Sequence, residues 1–405
     1  MKKYYLFNVL LLLFVTTLVL SGCSKDNGGE HPQPVRSWYV SAEQKGQLTK
    51  EAMQTLANMG GYASFASLVD SDVQLEKITY HTEYPSGTSV LASGMLIMPA
   101  KVNDRQPMVV YMHGTVAANG EPSASLFNTE TLLCAVMASA FGCVTLLPDY
   151  VGYGASADIV HPYIHKESMG QAGLDLIRAY QEYATEEGLP YTNRVMLAGY
   201  SEGGYAAVAL QKKIQESAAT GLHIEKTIAG SGPYDNVNFA KAFLATDATC
   251  DAHFISSYLW AFQMYKEAYG YATSYADIFS DADNAILQTH HYDMAYFRPD
   301  TYGLSLNPAL LFRPSFVSAV SADADTDLLR ILNENSLTDF APQDSLILVY
   351  GSADTWVYPL NSIHAYNAMT EKKCKVALIP IEGGDHASTM FPYCDVVLSR
   401  LKQFE

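Results

Sequence analysis

Two runs in which apolar and polar residues alternate, near 75–83 and 89–98, flank Tyr84-Pro85-Ser86-Gly87, a pattern that predicts an antiparallel hairpin closed by a turn. Beyond Pro99 the rhythm changes. Short apolar runs near 108–112, 143–147 and 194–199 alternate with helical patterns near 130–141, 168–187 and 203–216. Strands with no polar face need cover on both sides, so this stretch predicts a mostly parallel sheet between layers of helices. From Asn236 to about Pro342 the strand-like runs vanish. Helical patterning takes over, crowded with Phe254, Tyr258, Trp260, Phe262, Tyr265, Tyr269, Tyr271, Tyr275 and Phe279. Aromatics at helical spacing usually pack inward, so most are expected in the core of an inserted helical cap and a minority on a pocket. The strand and helix rhythm then returns, with strands near 346–350 and 375–379 and helices near 361–370 and 392–404.

The first residues follow another rule. Lys2 and Lys3 precede an uncharged run of 17 residues, Tyr4 to Leu20, marginal for a bilayer span and better read as the apolar part of a secretory signal. Leu20-Ser21-Gly22-Cys23 resembles the bacterial lipobox, which implies cleavage before Cys23 and a lipid carried on that cysteine. Ser24 to Val35 is polar and rich in Gly, Pro and charge, as a flexible tether would be. Lys25-Asp26 resembles the short acidic export signals of Bacteroidetes surface lipoproteins. The expected address is the bacterial outer membrane, reached through the anchor on Cys23, with the periplasmic or cell-surface face left open.

Charge narrows the partners. The chain has 25 Lys+Arg against 42 Asp+Glu, a net charge of −17 that becomes −19 once the two lysines of residues 1–22 are gone. No basic block gathers anywhere, which argues against nucleic acid. Besides Cys23 there are five cysteines, at 134, 143, 250, 374 and 394, so at least one stays unpaired within a monomer. Cys134 and Cys143 sit in apolar runs and are expected as buried thiols. No C-x-x-C pair suggests a metal. Asp281-Ala282-Asp283-Asn284 and Asp323 to Asp327 lack the glycine and distant Glu of a calcium loop and are read as helix N-caps. His290-His291 has no acidic or cysteine partner at ligand spacing.

Gly199-Tyr200-Ser201-Glu202-Gly203 stands between a buried strand and an alanine-rich helix. A serine hydroxyl is a poor nucleophile, and a strained, exposed strand-to-helix turn suits it to attack; flanking glycines permit that turn. The bare G-x-S-x-G pattern arises by chance in roughly one chain in ten of this length, so its context carries the weight. An activated serine needs a base, and the base an orienting carboxylate, in the chain order Ser, Asp, His. Asp354 follows the strand ending Val349-Tyr350-Gly351, and His386 lies in the glycine-rich loop Glu382-Gly383-Gly384-Asp385-His386 after the next strand. Asp344 enters its strand at the opposite end, and Asp385 adjoins His386 so that their side chains diverge; turn and capping roles suit both. Oxyanion donors are expected from the backbone amides of Glu202 and of Thr115, in the loop His113-Gly114-Thr115, with Val116 second to Thr115. His113 precedes the serine and is assigned to shaping that loop.

These segments, with Pro148-Asp149-Tyr150-Val151-Gly152-Tyr153-Gly154, resemble the α/β-hydrolase superfamily over about residues 73–235 and 341–405. The His-Gly-Thr loop, the Gly-Tyr-Ser-x-Gly-Gly elbow and a cap between strand and acid are similar to its secretory lipase and carboxylesterase branch. The resemblance implies an α/β-hydrolase fold, a mostly parallel sheet with an inserted helical cap. It also implies hydrolysis of carboxylic esters, small or lipid, through an acyl-serine, without metal or organic cofactor. The expected divisions are 1–22 signal, 23–37 lipidated cysteine and tether, 38–235 first part of the core, 236–340 cap and 341–405 second part. Two other readings stay open. A peptidase of the same fold would need cap carboxylates to hold an ammonium, and Asp281, Asp283 and Asp293 are there; a non-catalytic surface binder would tolerate loss of a triad member. The sequence sets neither oligomeric state nor disulfide pairing.

Overall fold

The computed structural model describes residues 37–404 apart from 117–121, 125–127, 218–219 and 296; the expected signal and Cys23 lie outside the described residues. Among the described residues nine strands form one sheet: β1 (Tyr39–Leu48), β2 (Val73–Glu83), β3 (Ser89–Pro99), β4 (Met108–Met112), β5 (Thr145–Pro148), β6 (Arg194–Tyr200), β7 (His223–Gly230), β8 (Leu346–Gly351) and β9 (Val376–Ile381). Their order is β1-β2-β3-β5-β4-β6-β7-β8-β9. β1, β2, β3 and β5 pair antiparallel, as the hairpin pattern predicts, and the strands from β5 through β9 run parallel. Every residue of β4 and β5 is buried, which is why these runs carry no polar face.

Helices cover both faces. α1 (Lys50–Met59), α2 (Ala63–Leu68), α3 (Thr129–Phe141) and the C-terminal helix share one core with the sheet, on residues such as Met53, Phe65, Leu133 and Val397. On the opposite face α4 (Lys166–Glu187) and α5 (Glu202–Glu216) pack Leu174, Ile177, Val208 and Leu210 against Leu96, Val110 and Leu197. Each such side chain contributes roughly 1.5–3 kcal/mol by leaving water.

Between β7 and β8 the described residues form eight helices: α6 (Asn236–Leu244), α7 (Ala252–Tyr269), α8 (Tyr275–Ile278), α9 (Asp281–Thr289), α10 (Pro299–Tyr302), α11 (Pro308–Leu311), α12 (Pro314–Ser321) and α13 (Thr326–Glu334). They gather a separate aromatic core around Phe243, Phe279, Phe312 and Phe316. The chain leaves and rejoins the sheet region at one point, where Leu337 N donates to the carbonyl of Tyr234 at 2.8 Å. α14 (Leu360–Glu371) and α15 (Met390–Leu401) complete the core. Among the described residues no helix is long and apolar enough to cross a membrane.

Several local readings change. Cys143 lies just before β5, buried all the same, and all five described cysteines are free thiols. The N-cap of α9 is Ser280, not the Asp281–Asn284 run: Asp283 accepts from Ser280 Oγ and Ser305 N, and Asp281 pairs with Arg313. Asp325 does cap α13, accepting from Leu328 N.

Candidate active site

The parallel strands end together. Met112 pairs with Gly199, Tyr200 with Gly230, Gly230 with Val349 and Gly351 with Ile381, so the loops after β4, β6, β8 and β9 emerge at one edge. β4 lies between β5 and β6, and the chain leaves β4 toward one neighbour and returns on its other side. A crevice at such a switch point is where open α/β sheets bind ligands.

Ser201 occupies the sharp turn from β6 into α5 with φ 59° and ψ −123°, a strained conformation for a side-chain-bearing residue. Its amide donates to the carbonyl of Gly230 at 2.8 Å, which fastens the turn to β7. Gly203 permits the close crossing of β4, since a Cβ there would stand 2.0 Å from the Met112 carbonyl oxygen.

The three expected side chains meet. His386 Nε2 is 2.9 Å from Ser201 Oγ, and His386 Nδ1 is 2.7 Å from Asp354 Oδ2. Asp354 is buried, and its other oxygen accepts from the amides of Trp356 and Val357 at 2.9 and 3.0 Å, which fixes the carboxylate plane. The imidazole lies between Trp356, stacked at 5.3 Å, and Tyr200 at 5.4 Å. Asp385 turns away as expected, accepting from Ser388 N and Oγ, and these bonds hold its carboxyl below the usual range. The carbonyl of Asp344 accepts from Gln211 at the other end of β8.

Thr115 and Glu202, the expected amide donors, both line the cavity that Ser201 and His386 share. Glu202 N opens α5, where the first-turn N–H groups have no intrahelical partner. In the loop after β4 the amide of Gly114 is already taken, donating to both carboxyl oxygens of Glu130 at 3.1 Å. Thr115 supplies the next amide, which meets no acceptor among the described residues. His113 braces the loop as expected, its ring nitrogens facing the carbonyls of Gly114 and Asp149, and burial lowers its pKa.

The sequence reading missed the groups that support these ones. Glu130 is a partly buried acid on the cavity wall whose pKa desolvation raises to about 7, against the opposing pull of its bonds from Gly114 N and Tyr111 OH. His161 pairs with the Glu202 carboxyl, and Tyr163 with Thr115. None carries a motif; a glutamate and a histidine in otherwise apolar surroundings were the only signal.

Above the centre, between cap and core, lies a cavity of about 960 Å³. Phe239, Phe243, Leu328 and Leu332 help line it, with Ser201 and His386 also on its wall. Of the nine singled-out aromatics, Phe254, Tyr258, Trp260, Phe262 and Tyr265 reach the cavity, more than the minority expected. Phe254, Tyr258, Phe262 and Tyr265 recur at helical spacing because α7 lays one face along it, while Trp260 reaches it from another face of the helix. Asp281, Asp283 and Asp293 do not line it.

A sheet of this order, with a strained serine turn where its parallel strands end, defines an α/β-hydrolase. Solved structures agree on the fold. A putative hydrolase of Legionella pneumophila is 23% identical, with a TM-score of 0.80 over 91% of this chain and 98% of that one. The rice cell wall degrading esterase LipA of Xanthomonas oryzae is 22% identical, with a TM-score of 0.74 over 92% and 97%. Candida antarctica lipase A in its closed state is 16% identical, with a TM-score of 0.63 over 90% and 82%. No curated protein sequence matches. The family model for secretory lipase matches residues 122–394, and the chain belongs to that family, whose chemistry is hydrolysis of ester bonds.

Proposed function

We propose that the chain cleaves carboxylic esters with an apolar acyl or aryl group, through an acyl intermediate on Ser201. The observation that carries this reading is the continuous hydrogen-bonded line Ser201–His386–Asp354 at the wall of an aromatic-lined cavity. Asp354 accepts Nδ1–H, so the lone pair of Nε2 faces the serine hydroxyl. Ser201 Oγ attacks the ester carbonyl as its proton passes to His386 Nε2. The imidazolium returns that proton to the leaving alcohol as the C–O bond breaks. Water then attacks the acyl-serine by the same proton route, releasing the acid and restoring Ser201. The amides of Thr115 and Glu202 stabilise the oxyanion of each tetrahedral intermediate, worth about 3–4 kcal/mol per donor. These steps use no metal or organic cofactor.

Residues 24–405, purified and assayed on p-nitrophenyl esters from acetate to palmitate beside Ser201→Ala, test the reading. Ester turnover lost in the variant is expected, and no turnover on any ester overturns it; a prolyl p-nitroanilide run in parallel detects a peptidase. A lipid anchor on Cys23 and an outer-membrane address belong to the same proposal. Incorporation of a labelled palmitate analogue by the full chain in bacterial cells, abolished in Cys23→Ala, is the expected result, and unlabelled wild type overturns the anchor.

A further inference from the structure

Beside the nucleophile turn lies a histidine that the proposed reaction does not use. His161 is fully buried, with Nε2 at 2.7 Å from Glu202 Oε1 and Nδ1 at 2.7 Å from the carbonyl oxygen of Val151. A carbonyl only accepts, so Nδ1 carries a proton, and Nε2 and the carboxyl share one more between them. The pair is neutral overall wherever that proton sits. Among the described residues the second carboxyl oxygen, Oε2, is buried without a partner, so His161 is the one hold on this side chain. Gly152 lets the chain come this close, because a Cβ there would meet His161 Cα at 2.3 Å.

Four rings wall the imidazole in: Tyr150, Tyr153, Tyr163 and Trp260, with centroids 5.6, 4.9, 6.2 and 5.5 Å away. Three of these rings also grip the loop on the far side of the site. Tyr150 OH donates to the carbonyl of His113 at 2.9 Å, and Tyr153 OH to that of Val116 at 2.7 Å. The Tyr163 hydroxyl pairs with Thr115 Oγ1 at 2.9 Å. Trp260 joins from the cap, stacking on Tyr163 and donating Nε1–H to the His161 carbonyl at 3.2 Å.

The geometry points to His161 as the positioning residue that fixes the two oxyanion donors relative to each other: it holds Glu202 by hydrogen bond and residues 113–116 through the tyrosines packed around it. The inference rests on the proposal that the amides of Glu202 and Thr115 receive the oxyanion. Such donors act by being aimed before charge develops, so loosening one removes transition-state stabilisation while leaving ground-state binding in place. The segment from Pro148 to Gly154, otherwise outside the chemistry, thereby serves to seat this histidine and its tyrosine neighbours.

The test compares replacements of His161 in residues 24–405. His161→Phe keeps an aromatic ring and loses both hydrogen bonds; His161→Gln keeps a donor that reaches Glu202. Expected are a loss in kcat of about 30-fold for His161→Phe with KM changed less than twofold, since removal of a whole donor costs about 10²–10³. A fluorophosphonate should label Ser201 more slowly by the same factor, still reaching one label per chain, and His161→Gln should recover at least tenfold of the loss. Wild-type kcat in His161→Phe, equal losses in both variants, or a loss confined to KM overturns the inference. Should His161→Phe lack a cooperative melt, His161→Asn replaces it, since its shorter amide serves Val151 and not Glu202; Asn matching Gln is then the overturning result. A wild type that is neither labelled nor active overturns the assignment of Ser201 and this inference with it. An active, labelled wild type with an indifferent His161 overturns this inference alone.

Discussion

Tyr200 donates its hydroxyl proton to the backbone carbonyl of His386 at 2.7 Å, so the residue before the proposed nucleophile holds the loop that presents the proposed base. Its ring also lies 5.4 Å from the imidazole. The variable position of the elbow motif thus serves the histidine. Tyr200→Phe keeps the ring and removes the bond, and it should lower kcat by a few-fold to about tenfold with KM unchanged, the span of one net hydrogen bond. Steady-state kinetics on one ester decide it, and an unchanged kcat contradicts it.

Glu130 makes stability depend on pH. Burial raises its pKa from 4.5 to about 7. Between those values the folded chain keeps a proton that the unfolded chain has released, so stability falls as pH rises through this window. Glu130→Gln still offers an oxygen to Gly114 N and has no proton to lose. Relative to the variant, wild type should lose up to about 3 kcal/mol from pH 4.5 to 7.5. Urea unfolding of both proteins across that range measures it, and a constant difference contradicts it.

His165 works in the opposite direction. It caps α4, its Nδ1 accepting from Ser168 N, and burial lowers its pKa from 6.5 to about 4. As pH falls from 6.5 to 4 the unfolded chain gains a proton the folded chain refuses, so stability is lost on the acid side. His165→Asn retains a good N-cap and cannot titrate. It should match wild type at pH 8 and exceed it by up to about 3 kcal/mol near pH 4; melting curves at the two pH values settle the point, and equal losses in both proteins contradict it.

Gly203→Ala places a Cβ 2.0 Å from the carbonyl oxygen of Met112, backbone that cannot step aside without moving β4. A loss of about 3 kcal/mol or more is expected, at the upper end for an overpacked site. The urea midpoint reports it, and an unshifted midpoint contradicts it.

Patterns with strong contrast were legible in the sequence, and weak ones were not. The hairpin, the buried strands β4 and β6 and the loops bearing Ser201, Asp354 and His386 follow from apolar periodicity punctuated by glycine. β1 went unread because Tyr-Val-Ser-Ala-Glu-Gln-Lys-Gly-Gln-Leu has little apolar alternation; most of it is an exposed edge. β7 went unread because His223, Glu225 and Lys226 make its first half polar, and only its second half is wholly buried. Glu130 and His161 went unread because their partners, Gly114 and Glu202, are 16 and 41 residues away. Such pairs are made by the topology of the sheet and leave no local trace.

The bond from Leu337 N to the Tyr234 carbonyl makes the cap a closed loop whose two ends touch. Apart from Trp260, which braces Tyr163 and His161, what lies between them could be exchanged for a longer, shorter or differently shaped segment without altering the distance the sheet must span. The shape of the chamber and the proposed chemistry beneath it are consequently separable except at that tryptophan. A lineage could trade the aromatic chamber for another and keep the same serine, histidine and aspartate beneath it.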